Sequence, residues 1–173
     1  MIALARYESL IGMRCMIADP LRVLSGVAMD DPFLLPRSQL VDEVCDGLQQ
    51  PEPVVIVTAP PASGKSSLIN LLAHKLGTSK CLVVNCLAYR GEYIRDFIQA
   101  STKQLFQALQ QQFLYLFLDD AFTLYANDYA ALMYFLKTDG KLFRIGLFSS
   151  YYADSPERGA PVGYTKVRCP FIG

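Results

Sequence analysis

Hydrophobic positions in this chain follow two rhythms that alternate from residue 38 onward. Leu40, Val41, Val44 and Leu48 recur at helical spacing, which predicts a short amphipathic helix over Ser38–Leu48. Ser38 is its expected N-cap, and Pro51 and Pro53 end it because proline cannot continue a helix. Val54–Thr58 is a β-branched run without polar alternation, the pattern of a strand buried on both faces. A loop of small residues and prolines, Ala59–Ser63, leads into a predicted helix at Lys65–Leu76. Gly77 is placed there for a left-handed C-cap.

The alternation continues with a strand at Cys81–Val84. One long helix is expected over Tyr93–Gln112, where Tyr93, Ile94, Phe97, Ile98, Leu105, Phe106 and Leu109 fall at three- and four-residue steps. Phe113–Leu118 predicts a third buried strand, closed by Asp119 and Asp120. A helix over Asp128–Leu136, a turn at Asp139-Gly140 and a fourth strand over Leu142–Phe148 follow. Beyond Ser150 turn residues dominate, and Val162–Arg168 carries a weak fifth-strand signal. Strands alternating with helices imply a mostly parallel sheet covered on both faces, a three-layer α/β domain. Residues 1–32 show no firm periodicity and read as an N-terminal extension of uncertain structure, leaving residues 33–173 as the domain. The sheet is expected to stop short, after a fourth or fifth strand, as in a truncated or stand-alone module.

Composition narrows the class. Hydrophobic residues make up 52% and charged residues 18%, enough for a sizeable core and too few charges for disorder. A mean hydropathy of +0.24 suggests apolar surface that meets another protein or domain. Lys+Arg and Asp+Glu are both 16, so the basic footprint of a nucleic-acid or membrane binder is missing. Cys15, Cys45, Cys81, Cys86 and Cys169 are odd in number and scattered, which favours reduced thiols and an intracellular setting. His74 is the only histidine and leaves few ligands for zinc. No signal-peptide pattern opens the chain. The longest apolar run, Phe113–Leu118, is far shorter than the ~20 residues of a membrane helix.

The chemistry concentrates at Ala59-Pro60-Pro61-Ala62-Ser63-Gly64-Lys65-Ser66, a loop between a strand and a helix. Amides from Ser63 to Ser66 can turn inward at a helix N-terminus and hold an anion, and Gly64 permits the backbone conformation this needs. Ala59, Ser63, Gly64, Lys65, Ser66 and Ser67 are therefore the candidate nucleotide-binding residues. Lys65 reaches the outer phosphates, and the Ser66 hydroxyl suits Mg²⁺. Asp119 and Asp120 end a buried parallel strand, where open α/β sheets bind ligands. Asp119 is expected to hold Mg²⁺, and Asp120 to orient or deprotonate the attacking water. Ser149 and Ser150, at the end of the fourth strand, are candidate γ-phosphate sensors. Arg144, Arg158, Lys80 and Lys141 read as solvated surface charges, and His74 as a complement to its helix dipole.

These motifs resemble the additional-strand branch of P-loop NTPases, within it the STAND and AAA-like group. By that resemblance Cys81–Val84 is the strand between the phosphate loop and the acidic strand, and Phe33-Leu34-Leu35-Pro36-Arg37-Ser38 is the short upstream segment near the adenine. A narrower resemblance is to the NTPase domain of Crinkler-type effectors. It rests on the phosphate loop, on Leu118-Asp119-Asp120-Ala121-Phe122-Thr123-Leu124-Tyr125, and on Phe148-Ser149-Ser150-Tyr151-Tyr152 with Ala160-Pro161-Val162. The chain departs from that family in having Asp120 for the usual glutamate and Tyr152 for a glycine.

The expected function is Mg²⁺-dependent binding and hydrolysis of ATP. GTP is disfavoured because Asn85 is not followed by the Lys and Asp of a guanine-reading NKxD motif. The alternative is a nucleotide-gated interaction module with little turnover, consistent with Asp120 and the apolar composition. A small-metabolite kinase is disfavoured, since residues 127–140 contain Lys137 as their only base and form no arginine-rich lid. The expected partners are a nucleoside triphosphate and another protein or domain.

Overall fold

Val54–Ala59 forms strand β1 of the computed structural model, which describes residues 37–51, 53–59, 63–150 and 164–168. Val55, Val57 and Ala59 fill one face of the sheet and Ile56 the other, as period-two geometry requires. The other described strands are β2 (Cys81–Asn85), β3 (Tyr115–Asp119), β4 (Arg144–Ser150) and β5 (Tyr164–Arg168). They join β1 in one sheet of order β2-β3-β4-β1-β5, with every neighbouring pair parallel.

Five described helices cover this sheet: α1 (Ser38–Leu48), α2 (Lys65–Leu76), α3 (Ile94–Thr102), α4 (Phe106–Gln112) and α5 (Phe122–Lys137). After β1 the chain crosses to the sheet edge at β2 and then steps back through β3 and β4. Right-handed crossovers made in opposite directions must lie on opposite faces. The core divides accordingly. Val41, Val44, Leu48, Leu68, Ile69 and Leu72 of α1 and α2 pack with Val57, Phe117 and Phe148. Phe97, Ile98, Phe106, Leu109, Leu132 and Phe135 of α3–α5 pack with Ile56, Leu116, Leu118 and Leu147. The result is a three-layer α/β architecture.

Several boundaries differ from the sequence pattern. Arg37, not Ser38, occupies the N-cap of α1 and makes no side-chain cap bond. Ala59 belongs to β1 rather than to the loop. Gly77 has positive φ (94°), but its ψ of 113° is not that of a left-handed cap. The stretch Tyr93–Gln112 is two helices, broken at Lys103 with φ 57°. Side chains stabilise that break: Thr102 Oγ1 donates to the Ile98 carbonyl at 2.8 Å, and Gln99 Oε1 accepts from the Phe106 amide at 2.9 Å. The helix expected from Asp128 is present as the second part of α5, and a shorter helical segment from Phe122 precedes it. Asp128 is the kink between the two, with φ −155° and ψ 86°, and its Oδ1 caps the Ala131 amide at 2.8 Å.

β3 runs from Tyr115 to Asp119, so Asp119 is part of the ladder and pairs with Asn85. β4 starts two residues later than the apolar run, because Leu142 lies in a 3-10 turn at Asp139–Leu142. Along the chain, β2 does lie between the Gly64-Lys65-Ser66 segment and the acidic strand. In the sheet it is an edge, and β4 fills the space between β1 and β3. The expected 1–32 extension, Phe33–Pro36, Pro60, Pro61, Ala62, Arg158 and the 151–163 turns lie outside the described residues.

Candidate functional site

The carboxyl edge of the sheet carries the candidate chemistry. β1 delivers the loop that ends at Gly64, whose φ of 76° and ψ of 35° are left-handed, and Lys65 opens α2 directly after it. A side chain at residue 64 would be strained, and its Cβ would stand 3.0 Å from Arg37 Nη2. Lys65 is 7% exposed. Ser63 Oγ is buried without a hydrogen-bond partner among the described residues, as is Thr58 Oγ1. A buried hydroxyl left unpaired carries a desolvation cost that an incoming polar ligand can relieve.

β3 brings the acidic pair to the same edge. Alternation puts Asp119 on the sheet face of Tyr115 and Phe117, the face covered by α2. Ser66 Oγ accordingly donates to Asp119 Oδ2 at 2.7 Å, while the Asp120 amide donates to Asp119 Oδ1 at 3.0 Å. Burial pushes the Asp119 carboxyl above its ordinary range. The Ser66 bond opposes this, the Asp120 charge adds to it, and the Asp120 amide and Lys65 pull back. Asp120 has a left-handed φ of 53°, and its carbonyl accepts from Thr123 Oγ1 at 3.1 Å. The same hydroxyl proton is shared with the Cys86 carbonyl, the nearer acceptor at 2.7 Å, which ties the turn after β3 to the end of β2.

Ser63, Gly64, Lys65, Ser66, Asp119 and Asp120 thus come together. Ala59 contributes only as the buried end of β1, and Ser67 lies half-buried in the first turn of α2. Ser149 is buried and pairs with Thr58 of β1. Because Phe148 packs on the α2 side, Ser149 points to the opposite face from Asp119. The strand parity therefore separates this candidate sensor from the Ser66–Asp119 pair. The Ser150 side chain lies outside the described residues. Arg144 is no solvated charge, since Nη1 donates to the Leu48 carbonyl at the end of α1. Arg37, expected only as part of the upstream segment near the adenine, instead donates from Nη2 to the Ser63 carbonyl at 2.7 Å. No spacing rule announces that contact, because it joins two loops only after α1 has packed.

The donor set fits a phosphate with Mg²⁺. An anion would meet the start of α2, Lys65 and the buried Ser63 hydroxyl. Mg²⁺ would be held by Asp119 and Ser66. No cluster of three or more His, Cys, Asp or Glu side chains is found among the described residues. Mg²⁺ does not need one, since it binds through one or two carboxylates and retains water and phosphate oxygens. No helix among the described residues is long and apolar enough to cross a membrane. No protein-family model matches the chain, and no curated protein matches it.

Proposed function

We propose that this chain is a P-loop NTPase domain that binds Mg²⁺-ATP at the carboxyl edge of its sheet and hydrolyses it. The Ser66–Asp119 hydrogen bond carries the reading, since it joins the two stretches that the sequence marks for phosphate and metal chemistry. Lys65 and the amides around Gly64 hold the phosphates. Ser66 and Asp119 hold Mg²⁺, which when bound neutralises charge on the phosphate oxygens. Asp120 orients the attacking water. A steady-state phosphate-release assay with Mg²⁺-ATP tests this. Asp120→Asn should keep nucleotide binding and lower release by about 100-fold or more, whereas undiminished release would remove Asp120 from the chemistry.

A second reading is a nucleotide-gated interaction module. The large apolar side chains exposed around α3–α5 favour it: Tyr93, Leu105, Tyr134 and Leu142 are each at least 65% exposed. Tight Mg²⁺-ATP binding without release above background would select this reading.

A further inference from the structure

We propose that Arg37 is a positioning residue for the phosphate loop, aiming and polarising the Gly64 amide from outside the loop. This rests on the phosphate-binding reading of Ser63–Ser67 given above. Arg37 Nη2 donates to the Ser63 carbonyl at 2.7 Å in a half-buried contact. The carbonyl of Ser63 and the N–H of Gly64 belong to one planar trans peptide and point in opposite directions. Holding that carbonyl therefore turns the Gly64 N–H away from the guanidinium, where an anion at the start of α2 would meet it.

The bond is charge-assisted, and a carbonyl drawn upon by a cation leaves its own peptide N–H a stronger donor. Arg37 is also well anchored. Its carbonyl accepts the first hydrogen bond of α1, from the Val41 amide at 2.9 Å, and α1 packs against α2 through Val41, Val44 and Leu48. An Asp42–Lys75 ion pair adds a second link between these helices. The guanidinium also occupies the space that a side chain at residue 64 would need, with Nη2 3.0 Å from that Cβ position. Glycine at 64 and arginine at 37 are thus matched to each other.

The test compares wild type with Arg37→Gln, which keeps an amide donor without charge, and Arg37→Lys, which keeps charge without the planar fork. Two readouts are taken on each protein. One is the Gly64 amide proton shift without nucleotide. The other is the Kd for Mg²⁺-ATP and for inorganic pyrophosphate by calorimetry. The expected result is an upfield move of the Gly64 proton in Arg37→Gln, with both ligands bound about tenfold more weakly. Arg37→Lys should recover part of each change. Wild-type affinity in Arg37→Gln, or an unmoved Gly64 proton, overturns the role of Arg37 and leaves phosphate binding intact. Failure of wild type to bind either ligand overturns the phosphate-loop reading and this inference with it. Melting of the empty proteins confirms that each variant is folded, and Arg37→Lys carries the comparison if Arg37→Gln is not.

Discussion

The Ser66 hydroxyl and the Asp119 carboxylate are 2.7 Å apart, although 53 residues separate them along the chain. Asp119 is 1% exposed, so its charge is held in a place that disfavours it. Two hydrogen bonds and the nearby Lys65 offset only part of that cost, and the carboxyl remains raised. Sites that bind cations are commonly built this way, with stability given up for function.

Replacing Asp119 with Asn should therefore stabilise the empty protein while abolishing the Mg²⁺ dependence of nucleotide binding. An asparagine can accept from the Asp120 amide and donate to Ser66, so both contacts survive without charge. A gain of about 2–4 °C in melting midpoint at neutral pH is expected. Thermal scans check it, and a destabilised variant would show that the carboxylate is a net structural asset.

The same residue sets a pH dependence. A carboxyl whose folded pKa is raised binds its proton more tightly in the folded state than in the unfolded one. Its stabilising neutral form is present at low pH and is lost as pH rises through the folded pKa. The melting difference between Asp119→Asn and wild type should thus be largest at neutral pH and close on acidification, at a pH above the ordinary 3.8. Mg²⁺ needs the ionised form, so metal-dependent nucleotide affinity should fall over the same window. Paired melting and calorimetric titrations across pH check both trends.

Gly146 sits in mid-strand β4, between Val55 of β1 and Phe117 of β3. A Cβ there would stand 2.8 Å from Phe117 Cδ1 and 2.9 Å from Phe148 Cε2, two rings already packed edge to face at 5.8 Å. Gly146→Ala should cost about 1–3 kcal/mol by overpacking. Chemical denaturation of the variant checks this, and unchanged stability would mean that the rings have room to move.

Cys45, Cys81 and Cys86 are buried. Burial raises all three thiols, Cys81 to about 12 and Cys86 further still, with Asp119 and Asp120 adding to the effect at Cys86. Iodoacetamide reacts with thiolates, so these cysteines should label only when the domain opens. Peptide-resolved mass spectrometry should find Cys86 unmodified in native protein and modified in denaturant. Rapid native labelling of Cys86 would contradict the packing described.

Where local chemistry dictates the outcome, the sequence was legible. The valine-rich run at 54–58 admits little but a buried strand, and Gly64-Lys65 marks the start of a helix. The third and fourth strands were found but misplaced at their ends. Asp119 is polar yet stays in the ladder through its pairing with Asn85, Leu142 is apolar yet lies in a 3-10 turn before β4, and Ser149 is polar yet continues β4 beside Thr58. The break at Lys103 was hidden because apolar spacing resumes at Leu105 as though one helix continued. Strand parity decides that Ser149 and Asp119 face opposite ways, and it follows only from exact boundaries. The Arg37 contact with Ser63 is the least legible feature, since its partner is a backbone carbonyl 26 residues away.

The most direct test is a calorimetric titration of Mg²⁺-ATP into wild type and Lys65→Ala. Binding to one saturable site in wild type, weakened at least about 100-fold in the variant, is the result expected if the buried Lys65 grips the phosphates. No heat of binding with wild type, or equal affinity in both proteins, would contradict the account.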